Sequence, residues 1–403
     1  MSEVTPDPPP ADQLLLRGPR LADGRLVDVA LADGRIAAVA PAGTLHPDRP
    51  GDLVDLSGYL LLPAPAEPHA HHDTALTAAG GPAGPGAVER RVTEAALLQL
   101  GHGATAQRGH VTVSDDRGLA ALLAALRAGR ALRGLAELTT VALPGPLTGR
   151  AGADQRARLR EAVARGADVV GGAPDLDPDP VGHLMWVLAL ADEHRLPVDL
   201  HTGAADRDWL ARLVAVASAG GGWRGLCLGP AGGLGRLAPP ALRRLGEGLA
   251  AGRVRVVCLP QGGCAPPGAG QPPVRALAAA GVLVAAGGGA LRSAAHPVGR
   301  GDPLEAAFLL AAAGERAPLA AYNAVGPLAR TVLGLPAPGG VVAGGPAELL
   351  AVRGDSVAEA LSLGYSRLVF HRGRIVARTS AVREFPAGPP GRAAWELPRQ
   401  QAG

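Results

Sequence analysis

The sequence predicts an α/β protein: a (β/α)8 TIM-type barrel carrying a small composite β-sheet (sandwich) domain built from the two ends of the chain. Three observations predict it. Between residues 60 and 315, eight short apolar strands alternate with helical segments. Apolar strands in such a β/α repeat imply a parallel sheet covered on both faces. Segments 13–41 and 347–379 instead show short alternating runs, the first broken by "ADG" turns that mark hairpins.

Taken in order, residues 1–12 are Pro-rich and acidic and read as a flexible tail. Residues 13–62 supply the N-terminal part of the sandwich. The barrel, 63–330, opens with a strand in "LLLPAPAEPHAH", followed by strands in "ATAQRGHV" and "LAELTTVALPG". The helix "ADQRARLREAVARG" leads to the strand "ADVVGGAP", and "VGHLMWVLALADEHR" to "LPVDLH". Next come "ADRDWLARLVAVASAG" and "GLCLG", then "APPALRRLGEGLAAG" and "RVRVVCLP". "PVRALAAAG" precedes the last strand, "VLVAAGGG", and "PLEAAFLLAAAGE" is a closing helix. Residues 331–384 return to the sandwich, and 385–403 form a second flexible tail. An open doubly wound sheet is the alternative, but no GxGxxG follows the first strand.

Composition narrows the chemistry. The chain has 403 residues and 47% hydrophobic content, enough for a large core, yet only 2% aromatics. Leu, Val and Ala must therefore fill the interior. There is no lysine, which excludes a lysine Schiff base and a carbamylated-lysine metal bridge. Net charge is +3, with no basic run interleaved with aromatics, so nucleic acid is not an expected partner. No apolar stretch of about 18 residues suggests a membrane span. "MSEVTPDPPPAD" lacks the pattern of a signal peptide. Three cysteines without a CxxC pair suit a reducing compartment, and the expected location is cytoplasmic.

"EPHAHHDTALTA", residues 67–78, places His69 and His71 two apart, on one face of a strand. In a barrel, the C-terminal strand ends carry the site. His201 ends the fifth strand in "PVDLH", and His110 ends the second in "QRGHV". Imidazoles from different strands can converge on a divalent metal, which would acidify water toward neutral pH. His69, His71 and His201 are the candidate ligands. His110 and His296, the latter after strand eight, are candidates for the rim, with core packing equally open for His110. His72 should point away from His71, toward the surface or an interdomain contact. The remaining histidines read as surface residues. Asp206 and Asp208 belong to a helix, Cys227 to the core, and Cys264 to a loop that could approach the mouth.

These segments resemble the amidohydrolase superfamily, and within it the cytosine deaminase group. The resemblance spans roughly residues 14–384. "LPAPAEPHAHHDTALTA" is similar to that group's Glu-Pro-His-x-His-x-Asp-Thr motif, and "RGHVTVSD" to its strand-two segment. "VALPGPL", "ARGADVVGGAPDLD" and "HRLPVDLHTGAADRDW" resemble strands three to five. "GGVVAGGPAELLAV" resembles a late turn of the family, with Glu348 where Asp is usual.

The resemblance implies one divalent metal, zinc or iron, held by His69, His71, His201 and an Asp after strand eight. That Asp falls at about Gly289, in "AAGGGAL", with no carboxylate nearby in sequence. The family's proton-shuttling Glu falls at Ala204, and its strand-six His at Gly229 and Pro230. Its pyrimidine-holding Gln falls at about Gly145. Hydrolytic deamination needs both a base and an acid, and losing one such group typically costs about 10²–10⁴-fold. No catalytic residue is therefore assigned, and the metal is expected to be weakly held or absent. Gly145, Gly203 and Gly287–Gly289 should leave a wider, less polar cavity than a pyrimidine needs. The reading is a deaminase-like hydrolase of non-peptide C–N bonds, with impaired or lost activity. The alternative is a pseudoenzyme that binds a ligand or partner. Expected partners are a small nitrogen heterocycle or none, and a homo-oligomer or an active paralogue; a purely structural subunit is the third reading.

Overall fold

The computed structural model describes residues 13–47, 49, 52–80, 84–150, 152–219, 225–262 and 270–381. The two expected tails and Cys264 lie outside these residues. The N-terminal segment forms β1 (Leu14–Arg17), β2 (Val27–Ala32), β3 (Arg35–Pro41) and β4 (Leu53–Asp55), ordered β3-β2-β1-β4. The β2–β3 turn is the sequence's Asp-Gly pair. Asp33 and Gly34 both take positive φ, 51° and 73°, as a two-residue hairpin whose twist matches its strands requires.

The expected first barrel strand divides in two: β5 (Tyr59–Pro63) and β6 (Ala66–Ala70). Pro63 and Pro65 lack the N–H that a continuous ladder would need, so the chain changes sheet between them. From β6 the barrel runs through β7 (Ala106–Thr112), β8 (Glu137–Leu143), β9 (Val169–Gly172) and β10 (Val198–Thr202). It continues through β11 (Leu226–Pro230), β12 (Arg255–Cys258) and β13 (Val284–Ala286). All seven junctions in this eight-stranded sheet are parallel and sequential. The fold is thus a (β/α)8 barrel with attached antiparallel sheets, as the sequence predicts.

Helices α1 (Pro85–Gly101), α2 (Asp116–Ala131), α3 (Gly152–Ala164) and α4 (Pro180–His194) wrap its first half. The second half is wrapped by α5 (Arg207–Ser218), α6 (Pro239–Ala251), α7 (Val274–Ala279) and α8 (Pro303–Ala312). Side-chain carboxylates cap several of them: Asp115 accepts from Gly118 N–H, Asp179 from Gly182 N–H, and Asp302 from Leu304 N–H. Asp206 accepts from the N–H groups of Asp208 and Trp209, so it starts α5 and does not approach the strand ends. The core is aliphatic: Leu184, Leu200, Leu213, Leu228 and Val256 are all fully buried. Each such side chain contributes about 1.5–3 kcal/mol on leaving water.

Two further helices, α9 (Pro318–Val325) and α10 (Pro327–Val332), follow the barrel before β14 (Leu349–Arg353), α11 (Val357–Leu363), β15 (Arg367–His371) and β16 (Arg374–Thr379). These last strands take β5 as an edge, in the order β16-β15-β14-β5. Leu16, Val29, Ile36, Leu61, Leu349 and Phe370 from both small sheets share one core. The sandwich is therefore built from both ends of the chain.

The barrel closes unusually. Between β6 and the segment just after β13 there is one isolated bridge, Ala70 with Gly289. Glu67 does the rest: its Oε2 accepts the Gly288 N–H at 2.6 Å, and its Oε1 accepts the His69 N–H at 3.1 Å. A Cβ at Gly287 would collide with that carboxylate and displace it.

Candidate metal centre

β6, β7 and β10 deliver four imidazoles to one point at the C-terminal side of the barrel. Ring centroids lie 5.4 Å apart for His69 and His71, 5.1 Å for His69 and His201, and 5.3 Å for His71 and His201. His110 stacks on His69 at 3.9 Å. Each of His69, His71 and His201 offers a ring nitrogen within 4.8 Å of the other two. A second group meets the same limit: His69, His110 and Asp199. The structure thus brings the three proposed ligands together, and supplies an alternative trio beneath them.

The donor set fits a divalent cation. Both ring nitrogens of His69 and Nε2 of His71 are buried without a hydrogen-bond partner among the described residues. Such unsatisfied groups are costly to bury. Metal ligation requires neutral imidazoles, and the site enforces them. Burial, then the crowding of His110 and His201, holds His69 and His71 well below the usual imidazole range. Burial also lowers His201 to about 4.

Several expectations are corrected. His110 is not at a rim: it is fully buried, with Nε2 3.2 Å from Asp199 Oδ1. His72 is neither exposed nor interdomain; it packs against α1, its Nε2 2.7 Å from Gln99 Oε1, and burial pushes it down to about 4. His183 and His371, read as surface residues, are buried against Asp177 and Glu348. His296 does line the open cavity above the metal site, together with His71 and His201.

The expected lack of nearby carboxylates is also overturned. Asp199 lies inside the barrel two residues before His201. Its Oδ2 takes a 3.0 Å hydrogen bond from Arg108, which is itself almost wholly buried. Burial alone would raise the Asp199 carboxyl, but His110 and Arg108 outweigh it and hold it below the usual range. Glu67 lies two residues before His69, and burial raises it to about 8 against the N–H groups of Gly288 and His69. Both could have been found in the sequence, because residues two apart on a strand share a face. Asp175 had no such signal. It sits in a 3-10 turn after β9, exposed on the wall of the same cavity. Thr202 Oγ1 donates to its Oδ1 at 2.8 Å and Gly203 N–H to its Oδ2 at 2.6 Å. It is thereby fixed beside the end of the strand that carries His201.

The glycines are not simple deletions either. The space a side chain at Gly145 would take is filled by Gln155 Oε1, which accepts the Gly145 N–H at 3.0 Å. Asp175 stands against Gly203, and Glu67 against Gly287. At Gly145 and Gly287 a polar side chain from another part of the chain occupies the room the glycine leaves, whereas at Gly203 Asp175 lies at ordinary contact distance. The cavity above the imidazoles is about 750 Å³ and carries Asp175, Arg236 and His296 among aliphatic and glycine neighbours.

Fold and site together define a (β/α)8 barrel with a cluster of imidazoles at the C-terminal ends of its strands. No family model and no curated protein matches the chain. Solved structures do. N-isopropylammelide isopropylaminohydrolase from Burkholderia multivorans is 28% identical with a TM-score of 0.79, over 91% of this chain and 98% of that one. 5-Methylcytosine deaminase from Klebsiella pneumoniae, liganded with 5-fluorocytosine, superposes with a TM-score of 0.80 at 22% identity, over 93% and 99%. A triazine hydrolase variant gives 0.69 at 18% identity, over 91% and 95%. The last two likenesses are of fold. The set bears out the resemblance to amidohydrolase-superfamily deaminases and hydrolases carried by the motifs.

Proposed function

We propose that the protein is a divalent-metal-dependent hydrolase acting on a C–N bond of a small nitrogen heterocycle, with weakened deaminase chemistry and Asp175 as its proton carrier. One observation supports this above the others: His69, His71 and His201 converge beside a cavity of about 750 Å³, with ring nitrogens of His69 and His71 buried and unpartnered among the described residues. His69, His71 and His201 would hold the ion. When bound, such an ion supplies Lewis acidity and lowers the pKa of water.

The chain's own residues do the remainder. His296 and Arg236 present polar contacts to a ring. Asp175 takes a proton from the attacking water and returns it to the departing amine, so water and the C–N bond give a carbonyl and ammonia or an amine. Its anchoring by Thr202 and Gly203 fixes that carboxylate in the wall.

A non-catalytic binding protein is the second reading, favoured by Ala204 and by the bare Gly287–Gly289 stretch where the resemblance places acids. Purified protein reconstituted with zinc or iron, screened with cytosine, isocytosine, creatinine-like rings and triazines for ammonia or amine release, separates the two. Release abolished by His201→Ala supports the hydrolase. A metal-loaded protein that binds one of these rings without releasing ammonia or amine supports the second reading.

A further inference from the structure

We infer that the opposite, N-terminal face of the barrel holds a second binding site, for a small phosphorylated molecule. A cavity of about 450 Å³ lies there, within the range of small-ligand pockets. Its walls come from the α2–β8 and α3–β9 connections and from the tip of the β15–β16 hairpin. Those connections enter the barrel strands at their starts, so this cavity is on the far side from the imidazoles.

Four guanidinium groups line it: Arg130, Arg133, Arg165 and Arg372. Two carboxylates line it with them, Glu137 and Asp168. Four cations against two anions leave an excess of two positive charges. The anions are already committed. Glu137 pairs with Arg372 at 2.9 Å, and Asp168 Oδ2 accepts the Thr140 N–H at 2.8 Å. Arg165 has an exposed partner in Glu161 at 3.1 Å. The Arg130 and Arg133 side chains have no hydrogen-bond or ion-pair partner among the described residues.

A helix C-terminus favours a nearby cation, which accounts for Arg130 in the last turn of α2. It does not account for Arg133, which lies beyond that helix, or for Arg372, which comes from the sandwich. His371 forms part of the wall beside Arg372, held in place by Glu348, which faces its Nδ1. Guanidinium forks match the oxygens of a phosphate in bidentate fashion. Leu126, Ala136 and Leu138, with Gly134 and Gly166 adding no side chain, leave an aliphatic, open flank for an organic body. The ligand class is therefore a phosphate group on a compact organic molecule.

The test is calorimetric titration of the full-length chain with adenosine monophosphate and with inorganic pyrophosphate, at low and moderate salt. The expected result is saturable binding of one anion per chain, with adenosine monophosphate the tighter. Arg130→Ala/Arg133→Ala should weaken it by about tenfold or more. Arg243→Ala/Arg244→Ala, removing two exposed arginines from α6, should leave it unchanged. Failure of both anions to saturate at millimolar concentration would overturn the inference. So would equal weakening by the two double variants, or tighter binding of pyrophosphate alone.

Discussion

At the scale of single residues, the site depends on a carboxylate brought to the histidines by hydrogen bonds from the end of β10. That carboxylate is Asp175, beside Gly203. Asp175→Asn keeps the size and loses the proton carrier. It should lower kcat by about 10²-fold or more on any ring compound that releases ammonia, with bound metal unchanged. Asp175→Glu should restore part of that rate, and an undiminished Asn variant would move the proton transfer elsewhere. The imidazoles were legible because HxH spacing and strand-end position follow from sequence alone. Asp175 was not, because its place depends on how the turn Pro174–Leu176 folds back onto β10.

At the scale of elements, one carboxylate organises the loops around the cavity. Asp177 accepts the N–H groups of Leu147, Thr148 and Asp179, the Thr148 hydroxyl, and faces His183 Nδ1 at 2.8 Å. Burial alone would raise its pKa, but these bonds outweigh it and hold the group at about 2, from an ordinary 3.8. The unfolded chain therefore binds this proton more tightly than the folded one. The stabilisation, about 2 kcal/mol, is complete above about pH 4 and is lost as pH falls toward 2. Denaturant midpoints of wild type and Asp177→Asn should accordingly differ at pH 7 and converge near pH 2. A constant gap across that range would contradict the assignment.

The seam between β6 and β13 belongs to the same scale. Beyond the three residues of β13, Glu67 ties the chain back to β6 through the Gly288 N–H. Glu67→Ala strands the Gly288 and His69 N–H groups, at a cost of about 1–3 kcal/mol each. Thermal unfolding should show a clear fall in midpoint, and an unchanged midpoint would count against the seam. The division of the expected first strand into β5 and β6 was half visible in advance. Pro63 and Pro65 were plain in "LLLPAPAEPHAH", but the partner β14 lies nearly 290 residues further on (Pro63 pairs with Leu349).

At the scale of the whole molecule, barrel and sandwich are held by buried polar contacts as well as by apolar packing. Arg367 of β15 makes a two-pronged pair with Asp302 at the start of α8, at 2.8 and 2.7 Å. Tyr322 Oη donates to Pro63 O at 2.7 Å, joining α9 to the strand that leaves the sandwich. Arg367→Ala would leave Asp302 with an unpaired buried charge and should cost about 3–5 kcal/mol, read as a shift in denaturant midpoint. The eight-strand repeat made the barrel legible, because a parallel sheet covered on both faces writes an apolar pattern that no other layer does. Asp302 with Arg367 was not legible, since nothing local links residues 65 positions apart. Among the described residues, no helix is long and apolar enough to cross a membrane.

Metal content tests the account most directly. Apo-protein would be titrated with zinc by calorimetry, alongside His69→Ala and His201→Ala. One ion per chain, with binding lost or weakened by orders of magnitude in both variants, is the predicted result. Absence of zinc binding to the wild type, or binding that both variants retain, would contradict it.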